Sequence, residues 1–318
     1  LRDSGHSHKT APAAQPPVSG RVSEKIARPT VNKTDRIAIV GAGITGLTVA
    51  HELRKRGFAN VTVFEKAASI GGKADTVYIE GRPYNLGAHL CHGNLGVAAL
   101  AKEVGVALER APTYELWDID NNRAIPRTFE HYQQVEKLRQ LLAANPDLDH
   151  DAGFAPTESW TYSSVLSWLE AHGLRELKEI GPFFTGAGYG FMQDDVPAGY
   201  FLKFAQHMTE DGWTPSGGYK HLLEKVSDGL DVRCNHEVMN IQRDANEGVI
   251  QLATRIHPHG NSDLDPADCN FVFDRLILTG PLEHASQFLD LTAQEQALFP
   301  RIKSLDYYTV IATLDIAK

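Results

Sequence analysis

The residues Gly41-Ala42-Gly43-Ile44-Thr45-Gly46 carry the spacing G-x-G-x-x-G. Glycines at this spacing are common, so the meaning depends on context. Here a short apolar run leads in and a helical pattern leads out, which is the setting that binds a dinucleotide. Gly41 permits a tight turn, Gly43 lets the backbone approach a pyrophosphate, and Gly46 allows a helix to pack closely on a strand. Ile44 and Thr45 open that helix, whose free N–H groups and positive dipole end favour phosphate. Glu65 follows about 20 residues on, where a carboxylate accepts hydrogen bonds from the adenosine ribose and repels the extra phosphate of NADP. At this point NAD and FAD both fit.

Other chemistry-bearing clusters are weaker. His89, Cys91 and His92 sit on one loop. Three ligands that close together rarely meet a metal's tetrahedral geometry, so packing is the preferred reading and no metal is expected. Cys91 then serves as a buried thiol. No Ser-His-Asp constellation is visible, and no catalytic residue is assigned. Phe183, Phe184, Tyr189 and Phe191 form an aromatic group that could line an apolar channel, with Phe184 and Tyr189 the candidate substrate contacts. A structural turn explains the same residues equally well.

The elements that position these residues read clearly in places. Residues 36–40 and 61–65 are short apolar runs of the buried parallel type, and 44–56 has helical spacing between them. Together they make a βαβ unit. Residues 76–87 read as strands broken at Gly81-Arg82-Pro83, 95–104 as a helix, and 113–127 as a hairpin turning at Asn121-Asn122. The segments 130–143, 162–171 and 196–208 read as helices. A further helix follows Gly217-Gly218 and ends near Ser227. Strands are expected at 231–233, 236–243, 248–256 and 271–278, and again over 307–314. Residues 1–33 lack periodicity and are expected to form a flexible tail.

Bulk properties exclude several classes. The net charge is -9 over 318 residues, which argues against nucleic acid as a partner. The cysteines Cys91, Cys234 and Cys269 lie far apart, with neither a disulfide framework nor zinc spacing. A reducing compartment, the cytoplasm, is the simpler expectation. No apolar run reaches transmembrane length, so no integral membrane segment is expected.

Gly71-Gly72-Lys73, soon after Glu65, separates the two cofactors. With it the chain resembles the flavin-dependent amine oxidase superfamily, which includes phytoene desaturases and protoporphyrinogen oxidases. The resemblance implies FAD, held in part by Gly72, Lys73 and Lys66. Tyr84-Asn85-Leu86-Gly87-Ala88 is similar to the family element beside the isoalloxazine ring, which implies that Gly87 and Ala88 lie there. His236-Glu237-Val238 is similar to the strand that touches the adenine side, through Val238. Trp213-Thr214-Pro215-Ser216-Gly217-Gly218 resembles the family's glycine pair before a helix, and 274–281 the strand that closes the FAD domain.

Within that superfamily, residues 182–191 and 195–204 resemble the FAD-dependent polyunsaturated fatty acid double-bond isomerases. The chain departs from them at two places. Residues 110–118 show no match to the arginine that meets the fatty-acid carboxylate, and 206–213 is shorter and lacks a phenylalanine. The resemblance implies an α/β fold: a Rossmann-like FAD-binding domain over 34–90 and 214–281, with an interleaved α+β substrate domain over 91–213 and 282–318. It also implies a FAD-dependent oxidoreductase or isomerase moving hydride on an apolar or unsaturated small molecule. An amine or amino-acid oxidase and a non-catalytic FAD-binding fragment are the alternatives. The family's C-terminal part has no match, so either a second chain supplies it or the sequence is a piece.

Overall fold

The computed structural model describes residues 30–92, 96–111, 116–118, 121–126, 128–144, 163–178, 197–199, 201–202, 205, 212–244, 246–257, 267–302 and 309–312. By contacts the chain divides into Leu1–Asn32 and Lys33–Lys318, and all that follows concerns the second. The expected tail lies almost wholly outside the described residues.

The order begins with β1 (Ile37–Val40), α1 (Ile44–Lys55) and β2 (Val61–Phe64), then a hairpin of β3 (Ala74–Ile79) and β4 (Arg82–Gly87). Short elements follow: β5 (Cys91–His92), α2 (Gly96–Glu103), β6 (Leu108–Arg110), β7 (Leu116–Asp118) and β8 (Arg123–Ile125). The helices α3 (Phe129–Ala143) and α4 (Val165–Ala171) come next, then β9 (Gly212–Pro215), α5 (Gly218–Ser227) and β10 (Asp231–Arg233). The meander β11 (His236–Asp244), β12 (Val249–Ile256) and β13 (Ala267–Phe273) leads into β14 (Arg275–Leu278). A 3-10 turn at Leu282–Gln287 and α6 (Ala293–Leu298) complete the named elements, with a last 3-10 turn at Phe299–Arg301.

The α/β reading holds. β10, β2, β1 and β14 form a parallel sheet in that spatial order. Ile37, Ala38 and Ile39 are buried, as strands covered on both faces must be. Leu47 and Ala50 of α1 pack with Ile37, Ile39 and Val63, and Leu222, Leu223 and Val226 of α5 join the same core. A separate core gathers Leu138, Val165, Trp168, Leu169, Leu174, Phe201 and Leu202 among the described helical residues. Thr128 and Ser164 cap α3 and α4 by accepting amide hydrogens from their first turns. Ala285 and Leu289 pack with Ala38, Phe64, Ile241 and Leu252 behind the meander.

Two sequence expectations need correction. The expected strand over 271–278 is two strands. Asp274 interrupts it, because its carboxylate accepts from the Arg36 amide at 2.7 Å and the Arg36 guanidinium at 2.8 Å. That clamp turns the chain from the antiparallel meander into the parallel sheet. The hairpin turns at Glu80-Gly81, so Arg82 and Pro83 lie inside β4. Both turn residues have positive φ, 50° and 76°, as a two-residue turn with the strand's handedness requires. Of the strand expected over 307–314, the described residues 309–312 are irregular and exposed. Among the described residues, no helix is long and apolar enough to cross a membrane.

Candidate cofactor site

β1 runs directly into the glycine loop. The Gly41 amide donates to the Phe64 carbonyl at 2.8 Å, so the loop begins pinned to β2. The Ala42 amide donates to Glu65 Oε2 at 2.8 Å, and the Ala67 amide to Glu65 Oε1 at 2.9 Å. The carboxylate at the end of β2 therefore faces the glycine loop. Its position reflects the parallel pairing of β1 with β2, which brings both strand ends to one edge.

The three glycines of the motif are not equivalent. Gly41 has φ 107°, and a Cβ there would lie 2.6 Å from Thr279 Oγ1. A Cβ on Gly46 would lie 2.0 Å from the Gly41 carbonyl oxygen, so the helix can approach the loop only without a side chain. Gly43 has φ -77° and ψ -179°, which any residue adopts. The nearest atoms to a Cβ at Gly43 are 3.9 Å away. Among the described residues, nothing calls for glycine at that position. Its absent side chain keeps space clear beside the start of α1, whose first-turn amides meet no side-chain acceptor among the described residues. Uncapped first-turn amides carry the positive end of the helix dipole, and they suit a pyrophosphate.

From this point a strip of backbone contacts continues. Gly43 and Gly71 are bridged in parallel, and the Gly71 amide donates to the Ala42 carbonyl at 3.1 Å. The Ala74 amide donates to the Gly71 carbonyl at 3.0 Å, and the Ala88 amide to the Lys73 carbonyl at 3.1 Å. Gly87 pairs with Ala74 across the hairpin. The strip thus runs from Glu65 through Gly43, Gly71, Gly72 and Lys73 to Gly87 and Ala88. Thr45, Lys66, Gly72 and Lys73 are exposed, while Ile44 turns towards the core. Val238 joins at the Glu65 end. Asn235 donates its amide to the Ala67 carbonyl, and His236 donates its amide to the Glu65 carbonyl, both at 2.9 Å. Val238 itself stands at a bulge in β11.

Two groups of residues were not singled out from the sequence. Thr279 donates its hydroxyl to the Val40 carbonyl at 2.8 Å and abuts Gly41. A polar residue at the end of the half-buried strand 275–278 was the available signal. The second group is Thr76 and Asn85, which cap the start of α5, with Thr214 accepting from Asn85. Asn85 Oδ1 accepts from the Tyr219 amide at 3.0 Å, and Thr76 Oγ1 accepts from the Lys220 amide at 3.0 Å. The signal there was an asparagine between Tyr84 and Leu86.

Phe184 and Tyr189, the expected substrate contacts, lie outside the described residues. Cys91, in β5, is buried, and burial pushes its thiol pKa up, with Tyr219 pulling the other way. Cys234 is raised by burial and by the nearby Glu65 carboxylate. Cys91, Cys234 and Cys269 are all free thiols. Among the described residues, no group of three His, Cys, Asp or Glu side chains could hold a metal ion.

Comparison with known proteins agrees with this architecture. The chain is 24% identical over 301 residues to probable polyamine oxidase 4 of Arabidopsis thaliana, covering 83% of this chain and 53% of that protein. It is 24% identical over 303 residues to phytoene desaturase of Cercospora nicotianae, covering 78% and 48%. The crystal structure of the CLA-producing fatty acid isomerase from P. acnes superposes with a TM-score of 0.69 at 25% identity, over 85% of this chain and 64% of that one. Putrescine oxidase bound to putrescine superposes at 0.65 and 20% identity, over 84% and 63%, which supports the fold. The chain therefore spans about half the length of the curated relatives it matches. The profile of the flavin containing amine oxidoreductases matches residues 44–314, and the chain belongs to that family.

Proposed function

We propose that the strip from Glu65 to Ala88 holds FAD, and that the complete protein is a flavin-dependent enzyme acting by hydride transfer on an apolar or unsaturated small molecule. One observation carries the cofactor assignment. Among the described residues, Gly43 is a glycine with no conformational or packing need, beside a helix start that no side chain caps. A pyrophosphate supplies the missing reason. In this reading Gly41, Gly43, Ile44, Thr45 and Gly46 form the phosphate cradle, and Glu65 accepts from the ribose with its remaining lone pairs. Lys66 and Lys73 add positive charge, Gly72 lets the second loop approach, and Val238 meets the adenine. Gly87 and Ala88 take the flavin end. The domain division at 34–90 and 214–281, with 91–213 and 282–318 on the substrate side, is part of the same proposal.

FAD supplies a two-electron acceptor for hydride when bound. The chain's residues bind and orient it. The superposition on a fatty acid isomerase, with the higher TM-score of the two structures, supports unsaturated chains as substrates. A redox-neutral isomerisation then returns the hydride to the substrate. Amine oxidation is the second reading, supported by the polyamine oxidase match over 83% of the chain. There the electrons pass on to oxygen and give peroxide. A reducing compartment such as the cytoplasm suits the free cysteines. Because the relatives are longer, we further propose that turnover needs the remaining polypeptide, from the same chain or a second one.

Flavin absorbance in the purified protein tests the cofactor. Supplying a doubly unsaturated fatty acid or a polyamine, and measuring product mass with peroxide, tests the reaction. Product of unchanged mass without peroxide supports isomerisation. Stoichiometric peroxide, or loss of two hydrogens, moves the assignment to an oxidase or desaturase.

A further inference from the structure

We propose that Asn85 is a positioning residue for the flavin end of the cofactor. The proposal rests on the cofactor reading above and extends it to a side chain outside the strip. Asn85 lies in β4, just before Gly87 and Ala88. Its Oδ1 accepts from the Thr76 hydroxyl at 2.8 Å and from the Tyr219 amide at 3.0 Å. Its Nδ2 donates to Thr214 Oγ1 at 3.0 Å. One carboxamide therefore ties β4 to β3, to the first turn of α5 and to β9. Thr76 extends the tie by accepting from the Lys220 amide.

The fit around this carboxamide is close. A Cβ on Gly218 would lie 2.5 Å from Thr76 Cγ2 and 3.0 Å from Asn85 Oδ1. Tyr78 adds a further fastening by donating its hydroxyl to the Gly217 carbonyl at 2.9 Å. On the other flank, the Ala88 amide is held by the Lys73 carbonyl. Gly87 and Ala88 thus lie between two anchors, one from the glycine strip and one from Asn85.

Among the described residues, no hydrogen bond runs directly between the glycine loop or Glu65 and Asn85, Thr76 or Thr214. Loss of the Asn85 anchor frees the end of β4 while leaving the adenosine and pyrophosphate end in place. The effect is therefore confined to the half of the cofactor that reaches Ala88. Aspartate preserves the two acceptor bonds, and the Thr214 hydroxyl can rotate to donate to it.

The test titrates wild type, Asn85→Ala and Asn85→Asp with FAD and with ADP, which carries the adenosine and pyrophosphate but no flavin. Asn85→Ala is expected to lose about tenfold in FAD affinity, the scale of one or two lost hydrogen bonds. Its ADP affinity stays within about twofold, because the two ends are independent. Asn85→Asp recovers FAD affinity. Thr214→Val, which spares the α5 cap and cuts only the tie to β9, serves if Asn85→Ala does not fold. It is expected to lose FAD affinity selectively and to shift the bound flavin's visible absorption. Parallel loss of FAD and ADP affinity, or unchanged FAD affinity and spectrum, would overturn the proposal. A wild-type protein that binds neither ligand would overturn the cofactor reading itself, which is a different result.

Discussion

α1 and α5 each follow a glycine at the N-cap, Gly43 and Gly217, and they are finished in opposite ways. α5 starts behind Gly217, with its first amides accepted by Asn85 and Thr76. Its glycines make room for the chain's own side chains. α1 starts behind Gly43, and among the described residues no side chain caps it and no atom beyond its chain neighbours lies nearer than 3.9 Å to an added Cβ. The same residue type serves internal packing at one terminus and external access at the other. The distinguishing observable is what a side chain would meet, since the motif spacing is silent on it.

The largest expected effects come from glycines that the chain itself requires. Gly46→Ala places a Cβ against the Gly41 carbonyl, and Gly218→Ala places one against Thr76 at a φ of 89°. Each should cost about 2–4 kcal/mol of stability, from overpacking with backbone strain added at Gly218. Urea denaturation of the cofactor-free protein measures both. A mild effect at either position would blur the contrast between packing glycines and the access glycine.

An intermediate effect is expected at Glu65. Glu65→Ala removes the acceptor of the Ala42 and Ala67 amides and, in the proposed reading, of the ribose. FAD and ADP affinity should fall together by about 1–3 kcal/mol, as for other charged hydrogen-bond partners. Titration of the cofactor-free protein checks this. Unchanged affinity would restrict Glu65 to holding the loop.

The glycine loop and its helix were legible in the sequence because a buried parallel strand, a motif and a helical period coincide within a short stretch. Glu65 and Gly71-Gly72 were legible for the same reason. Long-range closure was not. Thr279 reaches Gly41 from the neighbouring strand across 238 positions, and Asn85 meets Tyr219 across 134. No local period marks such contacts. The strand expected over 271–278 failed similarly, because the clamp that breaks it is Arg36, 238 positions away.

The smallest expected effect concerns pH. Asp274 is held down to about 2 from 3.8 by the Arg36 guanidinium and amide. A depressed carboxylate contributes stability that is present above its ordinary pKa and is lost as pH falls through the lower value. Between about pH 4 and pH 2, β14 and the Thr279 contact with the glycine loop should therefore loosen, by about 1 kcal/mol or less at this surface site. The α5 start is held by neutral side chains and should respond less. Amide exchange at Thr279 and Gly41 compared with Tyr219 and Lys220 reads the difference. Equal acid sensitivity at the two helix starts would mean that the Arg36–Asp274 clamp does not support the loop.

The central claim is that Gly43 is kept clear for a ligand, and Gly43→Ala tests it most directly. The cofactor-free variant should match wild type in denaturation to within about 1 kcal/mol, since alanine adopts this backbone without strain. Its FAD affinity should fall about tenfold or more, because the new methyl takes the place of the closest approach. Wild-type FAD affinity in Gly43→Ala, or unfolding on the scale of Gly46→Ala, would contradict the account.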